Sequence, residues 1–160
     1  SGRYDLQFAS GKVKTLEFPE IPTPQTIAGP WNVHFDPQAG GPGDVSFAQL
    51  EDWTKRPEDG IKYYSGTAIY KTTFTLDPAL AKADLILDLG KVEVIAEVTL
   101  NGQNLGTLWK PPYRVDVSQA VRPGANELVV KVVNLWPNRQ IGDENLPEVI
   151  LESVLLHPLT

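Results

Sequence analysis

Ala68-Ile69-Tyr70-Lys71-Thr72-Thr73-Phe74-Thr75-Leu76 decides the fold class. Ala68, Tyr70, Phe74 and Leu76 alternate with Lys71, Thr73 and Thr75, and a period of two sends successive side chains to opposite faces of a strand. Downstream, Asp77 is placed as N-cap and Pro78 as first residue of at most one helical turn. Leu85, Leu87 and Leu89 then alternate with Asp84, Ile86 and Asp88 up to Gly90. Val92, Val94, Ala96, Val98 and Leu100 share a face of the next strand, with Glu93, Glu97 and Thr99 opposite. Asn101-Gly102 follows directly, and that pair is the strongest short signal for a tight hairpin.

Working outward on both sides gives the same strand-and-turn rhythm. Residues 105–109 return, Lys110-Pro111-Pro112 breaks the ladder, 113–117 resume it, and Ser118 opens a helical turn before Pro123-Gly124-Ala125-Asn126. Residues 127–135 are β-branched enough to be buried on both faces. Residues 136–147 read as polar loop and 148–156 as a closing strand. Upstream, Trp31, Val33 and Phe35 share one face of a strand, which makes Trp31 a core residue. Residues 38–44, with Gly40-Gly41-Pro42-Gly43, read as loop, 47–53 as a short strand or turn, and 55–60 as polar loop.

At the start of the chain, residues 4–8 and 13–18 alternate around Ser10-Gly11-Lys12 and predict a hairpin. Pro19, Pro22 and Pro24 forbid ladder bonds and predict an extended connector. Residues 1–160 therefore form one domain, with 1–24 open to an alternative reading as a separate hairpin and Pro-rich linker of a larger parent. Strands recurring every ~8–12 residues with turn chemistry between them predict an all-β, antiparallel β-sandwich of jelly-roll type.

Composition narrows the function. The 160 residues suit one domain, and 41% hydrophobic with 21% charged residues suits a folded one. A net charge of −6 repels polyphosphate, which excludes nucleic acid as the expected partner, whereas a neutral sugar is indifferent to it. The absence of cysteine excludes disulfides and thiolate metal sites. No apolar run reaches the ~20 residues of a membrane span. The chain opens on Ser1-Gly2 without Met, which reads as a cloning scar or an excised segment, and in the second case an export signal would lie elsewhere in the parent.

The segment from Tyr64 to Asn134 resembles the sugar-binding domain of glycoside hydrolase family 2. The matching pieces, in order, are Ala68-Ile69-Tyr70-Lys71-Thr72-Thr73-Phe74, Leu87-Asp88-Leu89-Gly90, Ala96-Glu97-Val98-Thr99-Leu100-Asn101-Gly102, Leu105-Gly106, Val115-Asp116-Val117 and Gly124-Ala125-Asn126-Glu127-Leu128. The flanks Gly29-Pro30-Trp31, Asp52-Trp53-Thr54, Tyr64-Ser65-Gly66-Thr67-Ala68 and Asn134-Leu135-Trp136-Pro137-Asn138-Arg139 with Gly142-Asp143 are similar to the C-terminal region of large bacterial family 106 α-L-rhamnosidases. The resemblance implies a galactose-binding-like jelly roll, an exported multidomain parent outside the cell or in the periplasm, and catalytic acids held in a different domain. In family 2 enzymes such a sandwich also braces the catalytic domain, so that domain is an expected partner beside plant cell-wall type glycans.

A sugar site needs a flat aromatic face for the apolar side of a pyranose and fixed polar groups for its hydroxyls. Trp136 with Asn138, Arg139 and Asp143 supplies both in one short segment. Its structural alternative is an internal clamp from Arg139 to Asp143 or Glu144. Trp109 and Tyr113 bracket the rigid Pro111-Pro112 turn, either as a platform or with Trp109 plugging one end of the sandwich. Trp53, Tyr63 and Tyr64 are candidates for the same rim. Glu93 and Glu97 read as solvent-facing charges rather than a catalytic pair, and His34 and His157 complete no triad, so no catalysis is expected. A structural calcium ion is the one cofactor the sequence leaves room for, with ligands from Asp143-Glu144-Asn145 or from carbonyls near Asp44.

Overall fold

The computed structural model describes residues 2–18, 22–80 and 83–144. The closing strand expected at 148–156, with Asn145 and His157, lies outside them. The elements in order are strands β1 (Gly2–Gln7), β2 (Val13–Phe18), β3 (Trp31–Phe35), β4 (Gly43–Phe47), the single helical turn α1 (Asp59–Lys62) and strand β5 (Thr67–Leu76). Then come β6 (Ile86–Asp88), β7 (Ile95–Leu100), β8 (Gln103–Leu108), β9 (Arg114–Asp116), β10 (Gly124–Val133) and helix α2 (Pro137–Glu144).

Six strands form one antiparallel sheet in the order β4-β3-β5-β10-β7-β8, and β6-β9 form a second, two-stranded layer. Among the described residues, the opening hairpin β1-β2 pairs only with itself. Its Tyr4, Leu6, Phe8, Val13 and Phe18 are all about half exposed or more. The all-β sandwich predicted from the alternation is what the chain forms. Register explains why: Val45, Val33, Tyr70, Val130, Val98 and Gly106 stand side by side across all six strands, so their side chains share one face. The side chains of that row from Val45 to Val98, with Phe35, Phe47, Leu100 and Leu128, form the core, and Leu87 and Val115 of the second layer pack onto it. On the opposite face the row Asp44, His34, Ile69, Lys131, Glu97 is polar apart from Ile69, with His34–Asp44 at 2.9 Å and Lys131–Glu97 at 3.1 Å.

Local chemistry sets the turns. Asn101 (φ 52°) and Gly102 (φ 80°) make the two-residue turn between β7 and β8. Asp77 accepts from the Ala79 amide at 2.8 Å, as its cap position predicts, before the 3₁₀ turn Pro78–Leu80. Four expectations need correction. Loop was expected over 38–44, but β4 begins at Gly43 because pairing with β3 outweighs the Gly-Pro run. The polar stretch 55–60 runs into α1. The strand expected from Val92 begins only at Ile95. The polar loop expected after Trp136 is a helix, α2, for a reason given below.

Candidate functional site

The register that builds the core also gathers the expected site residues at one end of the large sheet. β8 ends at Leu108 opposite Ala96, Ala96 lies opposite Val132, and Val132 lies opposite Ala68 at the start of β5. Trp109 therefore leaves from β8 at the same end as Asn134, Leu135 and Trp136 leave from β10. Those strands are two ladder steps apart, roughly 10 Å. Trp109 is 65% exposed, with the Lys110 ammonium 5.1 Å from its ring centre, and Trp136 is 75% exposed.

Helix α2 is held from outside its own sequence. Pro137 opens it, a position where a missing N–H costs nothing. The Ser65 hydroxyl accepts from the Arg139 amide at 3.0 Å and donates to the Leu135 carbonyl at 3.1 Å. Asn134 fastens the entry strand with its side-chain oxygen on the Gly66 amide (2.9 Å) and its amide on the Tyr64 carbonyl (2.8 Å). Gly142 is buried so close to Tyr63 that a Cβ there would lie 2.7 Å from the Tyr63 Cβ. The cap of α2 is thus supplied more than seventy residues upstream, which no local pattern reveals.

The polar side chains of α2 are partly committed to the chain itself. Arg139 Nε meets Asp143 Oδ1 at 3.0 Å one turn away, with both side chains about half exposed. The guanidinium also lies over Gly40, where a Cβ would stand 2.8 Å from Nη1. The internal clamp foreseen as the structural alternative is formed. Asn138 is half-buried beside it.

Three candidates do not stand on the rim. Trp53, Tyr64 and Tyr113 are 8%, 2% and 7% exposed, so in this fold they present no open ring face. Tyr64 stacks edge-on against Phe35 and Trp53, accepts from the Asp36 amide and donates to the Thr67 carbonyl, both at 3.1 Å. The Trp53 indole N–H donates to the buried Tyr70 hydroxyl. Tyr113 donates to the Val94 carbonyl at 2.9 Å. The correction has one cause: each hydroxyl or indole finds a partner inside, so burial of the ring carries no polar penalty.

Glu93 pairs with Lys91 at 2.9 Å and Glu97 with Lys131. Asp52, Glu58, Asp88 and Asp116 are held below the ordinary carboxylate range by hydrogen bonds from Thr54, Arg56, Gly90 and Ser118, the opposite of what a general acid needs. Near the expected calcium sites, Asp143 faces Arg139 and Asp44, beside the Gly-rich loop, faces His34, and no cluster of three acidic or histidine side chains forms among the described residues.

Sequence reasoning missed a cleft that, among the described residues, measures about 1150 Å³ between the two layers. Trp31, Phe74, Leu128, Val130 and Val132 form its floor, and Leu85, Leu87 and Leu89 its wall.

The family model described as "Glycosyl hydrolase 2 galactose-binding domain-like" matches residues 51–152. A relative from Formosa agariphila named "Putative beta-glucuronidase" is 50% identical over 148 residues, covering 91% of this chain and 13% of the relative. The solved rhamnosidase of Novosphingobium sp. PP1Y superposes with a TM-score of 0.73 at 38% identity, over 86% of this chain and 13% of that one. The β-glucuronidase of Ruminococcus gnavus gives 0.59 at 25% identity, over 69% and 21%. This chain thus spans about one-eighth of the first two proteins and about one-fifth of the third, as a domain-sized part of glycoside hydrolase-like polypeptides. It belongs to the glycosyl hydrolase 2 galactose-binding domain-like family.

Proposed function

We propose that this domain is a non-catalytic accessory module of a larger exported glycoside hydrolase and that it contacts carbohydrate through the end of the sheet carrying Trp136 and Trp109. The exposed indole face of Trp136 beside the polar face of α2 carries the reading. A ring in water loses little by accepting the apolar face of a pyranose, and Asn138 with the outer lone pairs of Asp143 stands ready for its hydroxyls. Trp109, which leaves from β8 two strands away in the sheet, supplies a second exposed ring at the same end, which suits an oligosaccharide. The resemblance to rhamnosidases and glucuronidases directs the screen to acidic and rhamnose-containing cell-wall polysaccharides.

Affinity electrophoresis of the full 160-residue chain in such polysaccharides, with and without calcium, is the test. Retardation that Trp136→Ala reduces at least tenfold, and Trp109→Ala weakens further, supports the proposal. A folded, monodisperse sample that migrates freely in every gel overturns it. A second reading then takes its place. Leu135 and Trp136 are exposed side by side at 57% and 75%, which suits a face that braces a catalytic domain.

A further inference from the structure

We infer that Asn101-Gly102 is a self-modification site, an asparagine that deamidates through its own backbone and is held back by the amide pair it forms with Asn126. The inference is independent of the sugar proposal. Turn geometry and covalent chemistry make opposite demands on this dipeptide. The hairpin between β7 and β8 needs positive φ at both turn positions, met by Asn101 at 52° and Gly102 at 80°. The same dipeptide is the one most prone to cyclise, because glycine leaves its backbone nitrogen unhindered. Asn101 is the only asparagine of the chain followed by glycine.

The step is intramolecular. The Gly102 nitrogen gives up its proton and attacks Asn101 Cγ, and the side-chain nitrogen leaves as ammonia, which closes a succinimide ring. Water then opens the ring at either carbonyl and leaves aspartate or isoaspartate at position 101, so one water is consumed for each ammonia released. The nucleophile stands in the open: Gly102 is exposed, and a Cβ there would meet nothing within 4 Å.

The electrophile is what the fold restrains. Asn101 Nδ2 donates to the Ala120 carbonyl and to Asn126 Oδ1, both at 2.8 Å, and its Oδ1 accepts from the Glu127 amide at 3.0 Å. All three partners lie in residues 120–127 and none in the turn itself. Cyclisation needs Cγ at near-attack distance from the Gly102 nitrogen, with the side-chain nitrogen free to depart. Turning the amide onto the turn gives up all three bonds. Asn126 cannot follow it, because its oxygen is held by the Arg122 amide and its nitrogen by the Arg122 and Gly124 carbonyls. Backbone partners thus set which way each amide faces, and neither can flip and keep its bonds. The rate of modification therefore follows opening of this corner rather than of the whole fold. The product does not fit back. A carboxylate at position 101 has no proton for the Ala120 carbonyl or the Asn126 oxygen, so acceptors face acceptors and the β7–β8 turn stays loosened.

The experiment incubates the full chain beside the blocked peptide Thr-Leu-Asn-Gly-Gln-Asn in mildly alkaline buffer. Peptide-mapping mass spectrometry follows deamidation, and enzymatic methylation of isoaspartate identifies the cyclic route. Asn101 in the folded chain should react at least a hundredfold more slowly than in the peptide. Asn126→Ala should raise the folded rate at least tenfold, while Asn104, followed by leucine, stays intact as internal reference. Phe35→Leu, which weakens the core away from the amide pair, should leave the Asn101 rate unchanged, and urea unfolding places both variants on one stability scale. In the unaltered chain, low urea should raise the Asn101 rate in step with hydrogen exchange of the Glu127 amide, a readout that needs no variant to fold. Asn101→Asp should speed amide exchange in β8 at least tenfold while β5 keeps its protection. A folded chain that reacts as fast as the peptide overturns the inference. So does equal acceleration by Asn126→Ala and Phe35→Leu at matched stability, which would make global unfolding the gate, and so does deamidation that yields no isoaspartate.

Discussion

Asn126 is 1% exposed, on a face otherwise filled by Leu128 and Val130. Its oxygen accepts from the Arg122 amide and from the Asn101 side chain, both at 2.8 Å. Its own amide donates to the carbonyls of Arg122 (2.8 Å) and Gly124 (2.9 Å). Asn101 extends the network to the Ala120 carbonyl and the Glu127 amide. One buried side chain thus ties the β7–β8 hairpin to the turn before β10. Because a buried group left unpaired costs about 1–3 kcal/mol, Asn126→Ala should destabilise the fold by about 3 kcal/mol in urea unfolding. A loss below about 1 kcal/mol would mean that water takes over the amide's role. The same two residues carried part of the family resemblance, and their geometry gives that pattern a structural reason. The sequence displayed the Asn101-Gly102 turn but could not show that its amide was meeting another amide twenty-five residues on.

At the scale of elements, legibility followed how local the determining interaction was. β5 was legible because its period of two is its own property; β10 was legible as a strand, but the expected burial on both faces fails at exposed Glu127 and at Lys131, which pairs with Glu97 on the polar face. α2 was not. Its composition is polar, it contains Gly142, and its N-terminal acceptor is Ser65. The ring platform was half legible for a similar reason. Exposed and buried aromatics look alike in sequence, and only the internal partners found by Trp53, Tyr64 and Tyr113 separate them from Trp109 and Trp136. If Ser65 caps α2, then Ser65→Ala should cost about 1 kcal/mol. Amide exchange in residues 138–142 should speed up severalfold while β5 and β10 keep their protection. Uniform acceleration across the sheet would instead make Ser65 part of global stability. Because α2 presents Trp136, the same variant should weaken any glycan binding without touching the ring.

For the whole molecule, pH acts through the core on one side and the surface on the other. Burial pushes the Tyr70 hydroxyl up to about 12, and burial raises Tyr64 as well. An unfolded tyrosine titrates near 10, so the folded state holds its protons more tightly. Stability from these groups is fully present below about pH 10 and is lost as pH rises from there toward 12. The acid limb runs the other way. Asp52, Asp88, Asp116 and Glu58 sit below their unfolded values, so their contribution is present above about pH 4 and fades as pH falls. These carboxylates are nearly all solvent-exposed, so that limb should be shallow and weakened further by salt. The melting temperature should therefore be flat from about pH 5 to 9, decline gently in acid and fall steeply above 10. Tyr70→Phe should lower it at pH 7, because the Trp53 indole N–H loses its acceptor in a closed core. The variant should also have a shallower alkaline limb, since only Tyr64 then remains among the buried phenols shifted upward. An alkaline limb of unchanged steepness in that variant would place the high-pH weakness elsewhere than in the aromatic cluster, and would detach it from the packing that holds the two layers together.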